Sequence, residues 1–220
     1  ERYVDLLKEI LPSEIYYEVE IVLDSDGEYW EEQNKINKIL SDYILSLEPS
    51  DGLEFQNNME KKLIDLNVEI QKEREKTSIH RIEVDEEKIK YEAKGEVPGS
   101  VLNQFSMDEF KDNLRVATTT GNVWDETGLN HLYILNDDLK IIGSVEDLAK
   151  GERIYSSRFI GDKAYIVTFK KVDPLFVIDL SDARNPTVLG YLKITGYSDY
   201  LHPYDENHII GIGKETAGGD

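Results

Sequence analysis

No cysteine occurs in the 220 residues. A disulfide framework, a thiolate metal site and a cysteine nucleophile are therefore excluded. Positive charge is scarce: 25 Lys and Arg face 45 Asp and Glu, giving a net charge of −20 and a pI near 4.6. Such a surface repels phosphate backbones and anionic lipid, so nucleic acid is not an expected partner. It suits calcium, cationic partners, or hot or salty surroundings. Long apolar runs are also missing, and none approaches a membrane span, so no transmembrane segment is expected in this chain. The opening stretch ERYVDLLKEI is charged and does not read as a signal peptide. In a piece of a longer chain that says nothing about export. The one candidate Asn-x-Ser/Thr acceptor, Asn185-Pro186-Thr187, is spoiled by its proline.

Familiar catalytic signatures are absent as well. There is no Gly-x-Ser-x-Gly elbow, no phosphate loop, no dinucleotide glycine pattern and no His-Glu-x-x-His. The acidic stretch from Asp24, DSDGEYWEEQNK, superficially resembles a calcium loop. Its glycine and its final residue are out of place for one, so it reads as a turn between helices.

What is present changes character near Thr77. Residues 1–76 hold 20 acidic and 9 basic residues; the remainder holds 25 and 16. In the first part Ile36, Leu40, Tyr43 and Leu47 share one helix face, and so do Met59, Leu63, Leu66 and Ile70. The pattern predicts helices over 2–10, 28–47 and 53–76, with Pro12 ending the first. Residues 13–23 fit a strand by alternation and a helix by Ile15, Val19, Val22 and Leu23; helix is favoured because the neighbours are helical. Beyond Thr77 the chain predicts twelve short strands separated by Gly, Asn, Asp and Pro, an all-β unit. One of these strands is VLNQFSM, over 101–107.

The strands repeat in groups of four, beginning near Ile79, Leu132 and Leu175. Gly95, Gly143 and Gly190 fall at comparable points, and Tyr155-Ser156 recurs as Tyr197-Ser198. A four-strand unit of roughly 40–50 residues is the blade period of a β-propeller. A β-sandwich with duplicated hairpins would also give such a repeat. The expected fold is mainly β with an N-terminal α-helical segment: charged helices over 1–76, then a partial β-propeller of four-stranded antiparallel blades over 77–220.

The stretches VPGSVLNQFSMDEF, GERIYSSRFIGDKAYIVTF, DPLFVIDLSDARNPTVLG and YLHPYDENHIIGIGKE resemble archaeal and bacterial secreted proteins with a C-terminal β-propeller distantly related to tryptophan-aspartate repeats. The likeness covers most of 77–214. Residues 1–76 resemble, less specifically, a charged helical insertion of that family. The resemblance implies a propeller, a secreted or cell-surface location, and no established enzymatic activity. It also implies a fragment, since about two and a half blades are fewer than a propeller needs. Open strand edges are then expected to favour self-association.

Two regions stand out as candidate sites. The loop TTTGNVWDETGLNH is longer than the corresponding KKVDP one blade later. Long rim loops commonly carry binding function, and Trp124 at the tip would make an anchor. The plainer reading has Trp124 folding back over a neighbour. Tyr155, Arg158 and Tyr200 are further partner-binding candidates, with blade packing as the alternative. In LHPYDENH, His202, Asp205, Glu206 and His208 offer imidazole and carboxylate to a divalent metal. Turn chemistry at Asp205 and Asn207 is the competing account. No cofactor is implied beyond that cation, calcium included. The functional expectation is a non-enzymatic module that recognises or scaffolds a protein or glycan outside the cell. The alternative is a hydrolase or lyase acting on extracellular polymer, with its site on the propeller axis and mostly beyond this segment.

Overall fold

The computed structural model describes residues 2–25, 27–85, 88–124, 126–169, 173–194, 196–205 and 207–215. The chain divides into two units, Glu1–Ile70 and Gln71–Asp220. The division falls inside a helix that continues to Arg74, ahead of the change in composition at Thr77.

The first unit is helical. It contains α1 (Arg2–Ile10), α2 (Ser13–Leu23), α3 (Tyr29–Ser46) and most of α4 (Pro49–Arg74). Residues 13–23 are helix: Pro12 sits at the N-cap position, and its carbonyl accepts from the Tyr16 N–H at 2.9 Å. The first stripe read from the sequence supplies the core, where Ile36 and Leu40 pack with Leu7, Leu11 and Val19. Tyr43 meets Phe55 edge-on at 5.2 Å, which ties α3 to α4.

The second unit holds twelve strands: β1 (Lys76–Asp85), β2 (Lys88–Pro98), β3 (Met107–Phe110), β4 (Asn113–Thr120), β5 (Leu129–Leu135), β6 (Ile141–Leu148), β7 (Arg153–Ile160), β8 (Lys163–Phe169), β9 (Asp173–Asp179), β10 (Thr187–Ile194), β11 (Tyr197–Pro203) and β12 (Ile209–Lys214). Two sheets are complete four-stranded antiparallel meanders, β3-β4-β5-β6 and β7-β8-β9-β10. The hairpins β1-β2 and β11-β12 form two-stranded sheets. This is a partial β-propeller, a mainly β fold behind a helical segment.

Two details differ from the sequence reading. The sheets begin at Met107 and Arg153, and the last hairpin at Tyr197, whereas the repeat in the sequence points to starts near Ile79, Leu132 and Leu175. A periodic pattern fixes the spacing of its units but not where hydrogen bonding cuts them. The strand expected over 101–107 is also shifted. Residues 104–106 form a 3₁₀ turn, because the Asn103 side chain accepts from the Phe105 N–H at 2.9 Å, and pairing starts only at Met107.

Strand alternation explains how the sheets stack. Every residue of β5 is buried. Leu132 and Ile134 point to one side, into a core with Ile154, Ala164, Ile166 and Ile178 of the following sheet. Tyr133 and Leu135 point to the other side, against Val97 and Leu139. A sheet covered on both faces is what the repeated strand pattern requires, since one blade cannot bury both faces alone. The two-residue turn Lys111-Asp112 joins β3 to β4 with both residues at positive φ, 51° and 59°.

Successive sheets meet through small polar groups at or just ahead of their first strands. The hydroxyls of Ser106 and Ser157 lie 2.8 Å apart, and both residues are buried. One step along, Ser156 of β7 reaches the backbone of β11. The recurring Tyr-Ser pair thus marks where consecutive blades touch.

Candidate functional site

A cleft of about 660 Å³ opens where the β4–β5 loop, the entry to β7 and the end of β8 converge. Its wall includes Glu75, Leu102, Trp124, Arg153, Tyr155 and Phe169. The volume lies in the range of ligand pockets.

The loop that carries Trp124 is held by local chemistry. Gly121, at φ 72°, turns the chain out of β4, and its N–H donates to the Glu75 carboxylate at 2.8 Å. The Asn122 side chain accepts from the Trp124 N–H at 2.9 Å, a turn an Asn side chain favours. The Asn122 carbonyl accepts from Thr127 and Gly128 at 3.1 and 3.0 Å. Beneath the loop, buried Asn130 donates to the carbonyls of Leu148 and Glu152 at 3.1 and 3.2 Å and accepts from Thr119 at 2.8 Å. Thr119 in turn accepts from the Ile154 N–H. The cleft's frame is thus closely hydrogen-bonded, while Trp124 at its edge is 93% exposed.

The other wall is aromatic. Tyr155, Phe169 and Tyr197 form a triangle with ring centroids 4.9–5.4 Å apart. The β7–β8 register slips between Ile154 and Ser156, which takes Tyr155 out of the ladder. The Arg153 guanidinium lies over the Tyr155 ring at 4.9 Å and donates to its hydroxyl at 3.4 Å. Among the described residues, no carboxylate pairs with it.

Of the residues singled out in the sequence, Trp124 and Tyr155 share this cleft. Arg158 and Tyr200 belong to a different cluster. The Arg158 guanidinium is stacked between Phe105 at 4.1 Å and Tyr200 at 4.9 Å. Its Nε donates to the Leu201 carbonyl at 2.9 Å, so the arrangement packs β7 against β11. Arg153 and Phe169 escaped sequence reasoning. They face each other across the β7–β8 ladder, and that register was the available signal.

Of the metal candidates among the described residues, Asp205 and His208 come together and His202 has a different neighbour. His202 Nδ1 lies 3.3 Å from the Tyr200 hydroxyl, whereas His208 Nδ1 lies 2.8 and 2.9 Å from the Asp205 carboxylate oxygens. Asp205 also accepts from the Asn207 N–H at 2.8 Å, which, together with His208, holds its carboxyl below the usual range. Glu206 lies outside the described residues. Among the described residues, three ligand-type side chains come together elsewhere, at His131, Glu146 and Asp147. A cation already serves that cluster. Lys72 Nζ is 2.8 Å from both Glu146 and Asp147. His131 is fully buried; its Nδ1 accepts from the Asp147 N–H at 3.2 Å, which makes Nε2 the protonated nitrogen, 2.9 Å from Thr120 Oγ1. Both ring nitrogens are engaged within the protein. Burial, followed by nearby Lys72, pushes His131 down to about 4. Burial pushes Glu146 up, but its bonds from Lys72 and Ser144 outweigh this and the net shift is downward. These residues form a structural polar knot and not an open metal centre.

Comparison with known proteins agrees with the architecture. A family model described as a beta propeller domain matches residues 13–219, taking in helices as well as strands. An uncharacterised protein of Methanocaldococcus jannaschii is 53% identical over 146 residues, which are 66% of this chain and 23% of that protein. An uncharacterised protein of Archaeoglobus fulgidus is 38% identical over 209 residues, 95% of this chain and 32% of that protein. The chain thus spans no more than about a third of either relative's length. With stacked four-stranded meanders and a family match over nearly its whole length, the chain belongs to the beta propeller domain family.

Proposed function

We propose that this segment is a non-enzymatic recognition module of a secreted or cell-surface propeller protein, and that the cleft beside Trp124 binds a protein partner. One observation carries the reading. A Trp, a Tyr and an Arg, the residue types enriched at binding hot spots, line one open cleft, with the Trp left almost wholly in solvent. Arg153 is held flat on an aromatic ring and has no carboxylate partner among the described residues. It can therefore meet an acidic group on a partner without first breaking an ion pair. A hydrolytic role is less well supported there. Among the described residues Glu75 is the one carboxylate lining the cleft, and it is already bonded to the Gly121 amide, whereas glycoside hydrolysis needs two converging carboxyls. The extracellular part of the proposal rests on the resemblance of the quoted β motifs to secreted propeller proteins.

The test is a displayed-peptide library selected against the chain, with Trp124→Ala and Arg153→Ala as controls. Peptide binding that falls at least tenfold in both variants supports the reading. Binding indifferent to both substitutions, or binding confined to a glycan array, overturns the protein-partner assignment. Protease shaving of intact cells checks the location: loss of the protein from whole cells is expected, and full protection would refute surface display.

A further inference from the structure

The outer strands β2, β6 and β10 each carry one of the recurring glycines: Gly95, Gly143 and Gly190. In β6 and β10 the phase is the same. Gly143 pairs with Ile134 and Gly190 with Val177, and in each case the residue just before the glycine drops out of register. The surroundings repeat as well. A Cβ placed on Gly95 would collide with the backbone carbonyl of Leu139, in the β5–β6 turn of the next sheet. One placed on Gly143 would collide with the backbone carbonyl of Ala183, in the β9–β10 turn of the sheet after that. Twice, therefore, the outer strand of one sheet receives the main chain of the last turn of the following sheet. Only glycine permits so close an approach.

Among the described residues, nothing lies within 4 Å of the same position at Gly190. The sheet that follows is β11-β12, which corresponds to the first two strands of an intact sheet. Its third and fourth strands, whose turn would reach Gly190, are not among the described residues. Around Gly190, Leu189, Tyr191 and Leu192 are exposed by 58–63%, an apolar strip beside an outer strand.

We propose that Gly190 and this strip form the docking face for the hairpin that completes the β11-β12 sheet, and that polypeptide following this segment in a longer protein supplies that hairpin. The third strand adds antiparallel to β12, as β5 adds to β4 and β9 to β8. The turn into the fourth strand then places its carbonyl over Gly190. Matched relatives of about three times this length have ample chain to supply it. By the same phase β1-β2 is an outer hairpin, and α1–α4 precede it in sequence where the β4–β5 and β8–β9 connections precede theirs.

Alanine substitutions at the three glycines test the proposal, each made in the 220-residue chain and in the full-length gene product. Gly95→Ala and Gly143→Ala should lower the melting midpoint of both proteins, on the order of 5 °C. Gly190→Ala should leave the shorter chain within about 1 °C, since alanine is tolerated in an open strand. In the full-length product it should lower the midpoint as much as Gly143→Ala does. Silence of Gly190→Ala in the full-length product overturns the proposal. It is also overturned if the shorter chain sediments as a dimer that Gly190→Ala dissociates, because a second copy then occupies the face.

Discussion

Ser156 of β7 donates its hydroxyl hydrogen to the backbone carbonyl of Ser198 on β11, 2.5 Å away, and both residues are buried. The pair that recurs in the sequence is the pair that touches in space. Ser156→Ala leaves that carbonyl without this donor in a dry environment. We expect a loss of about 1–2 kcal/mol, read as a lower urea midpoint with an unchanged slope. Ser106→Ala, which removes the hydroxyl–hydroxyl contact to Ser157 one blade earlier, should cost a similar amount.

His131 predicts a pH dependence with a definite sign. Folding buries it as the neutral imidazole and depresses it to about 4, against about 6.5 when unfolded. The unfolded chain therefore binds the extra proton between these values. Stability from this group is fully present above pH 6.5 and is lost as the pH falls toward 4, amounting to about 3 kcal/mol. Around the ring stand Lys72, Glu146, Asp147, Tyr133 and Thr120. His131→Gln removes the imidazole titration. Urea midpoints across pH 4–7 should fall more gently for the variant than for the wild type, and parallel curves would refute the assignment.

Lys72 fills the space between Glu146 and Asp147. Lys72→Met leaves two half-buried carboxylates facing each other, at a cost of about 1–3 kcal/mol. Because these carboxylates then lack a cation, the variant's melting midpoint should rise on adding zinc or calcium. The wild-type midpoint should not respond. Melts of both proteins with metal and with chelator decide the matter, and they also test the expectation that the acidic chain uses calcium for stability.

The two walls of the cleft should separate binding from folding. Trp124→Ala removes a side chain that is 93% exposed, so the melting midpoint should stay within about 1 °C. Phe169→Ala opens the Tyr155–Phe169–Tyr197 triangle and should cost about 2–4 kcal/mol by thermal melt. If Trp124→Ala destabilises the fold instead, Trp124 is a packing residue and the cleft loses its anchor.

Local patterns were readable from sequence wherever one periodicity dominated. Ile36 and Leu40 on a helical stripe, and Leu132 and Ile134 on a strand, are buried as the spacing implies. Residues 13–23 needed their neighbours to be read, because their apolar positions satisfy both periods. Blade phase was not readable, since Leu132 and Leu175 start equally regular units when backbone pairing is unknown. Trp124 was visible through loop length, and Tyr155 through its recurrence. Arg153 and Phe169 were hidden because they become neighbours only across the β7–β8 hairpin, whose bulge shifts the pairing. His131 read as an ordinary strand residue. Its importance comes from Lys72, far upstream, and no local pattern reports that contact.

The joint at Gly95 and Gly143 is made chiefly by main chain: the nearest atom facing each glycine is a backbone carbonyl oxygen. One turn presents Leu139, the next presents Ala183, and the glycine meets the same carbonyl group in both. The fit at this joint depends on a missing atom and a main-chain path, while the turn residues Leu139 and Ala183 answer to the cores they pack against. Blades joined in this way behave as interchangeable parts. They can be duplicated, diverge at their rims and acquire long connections without losing the fit to their neighbours. The repeats agree at glycines such as Gly95 and Gly143, where one main chain must approach another, and differ in the length of their rim loops.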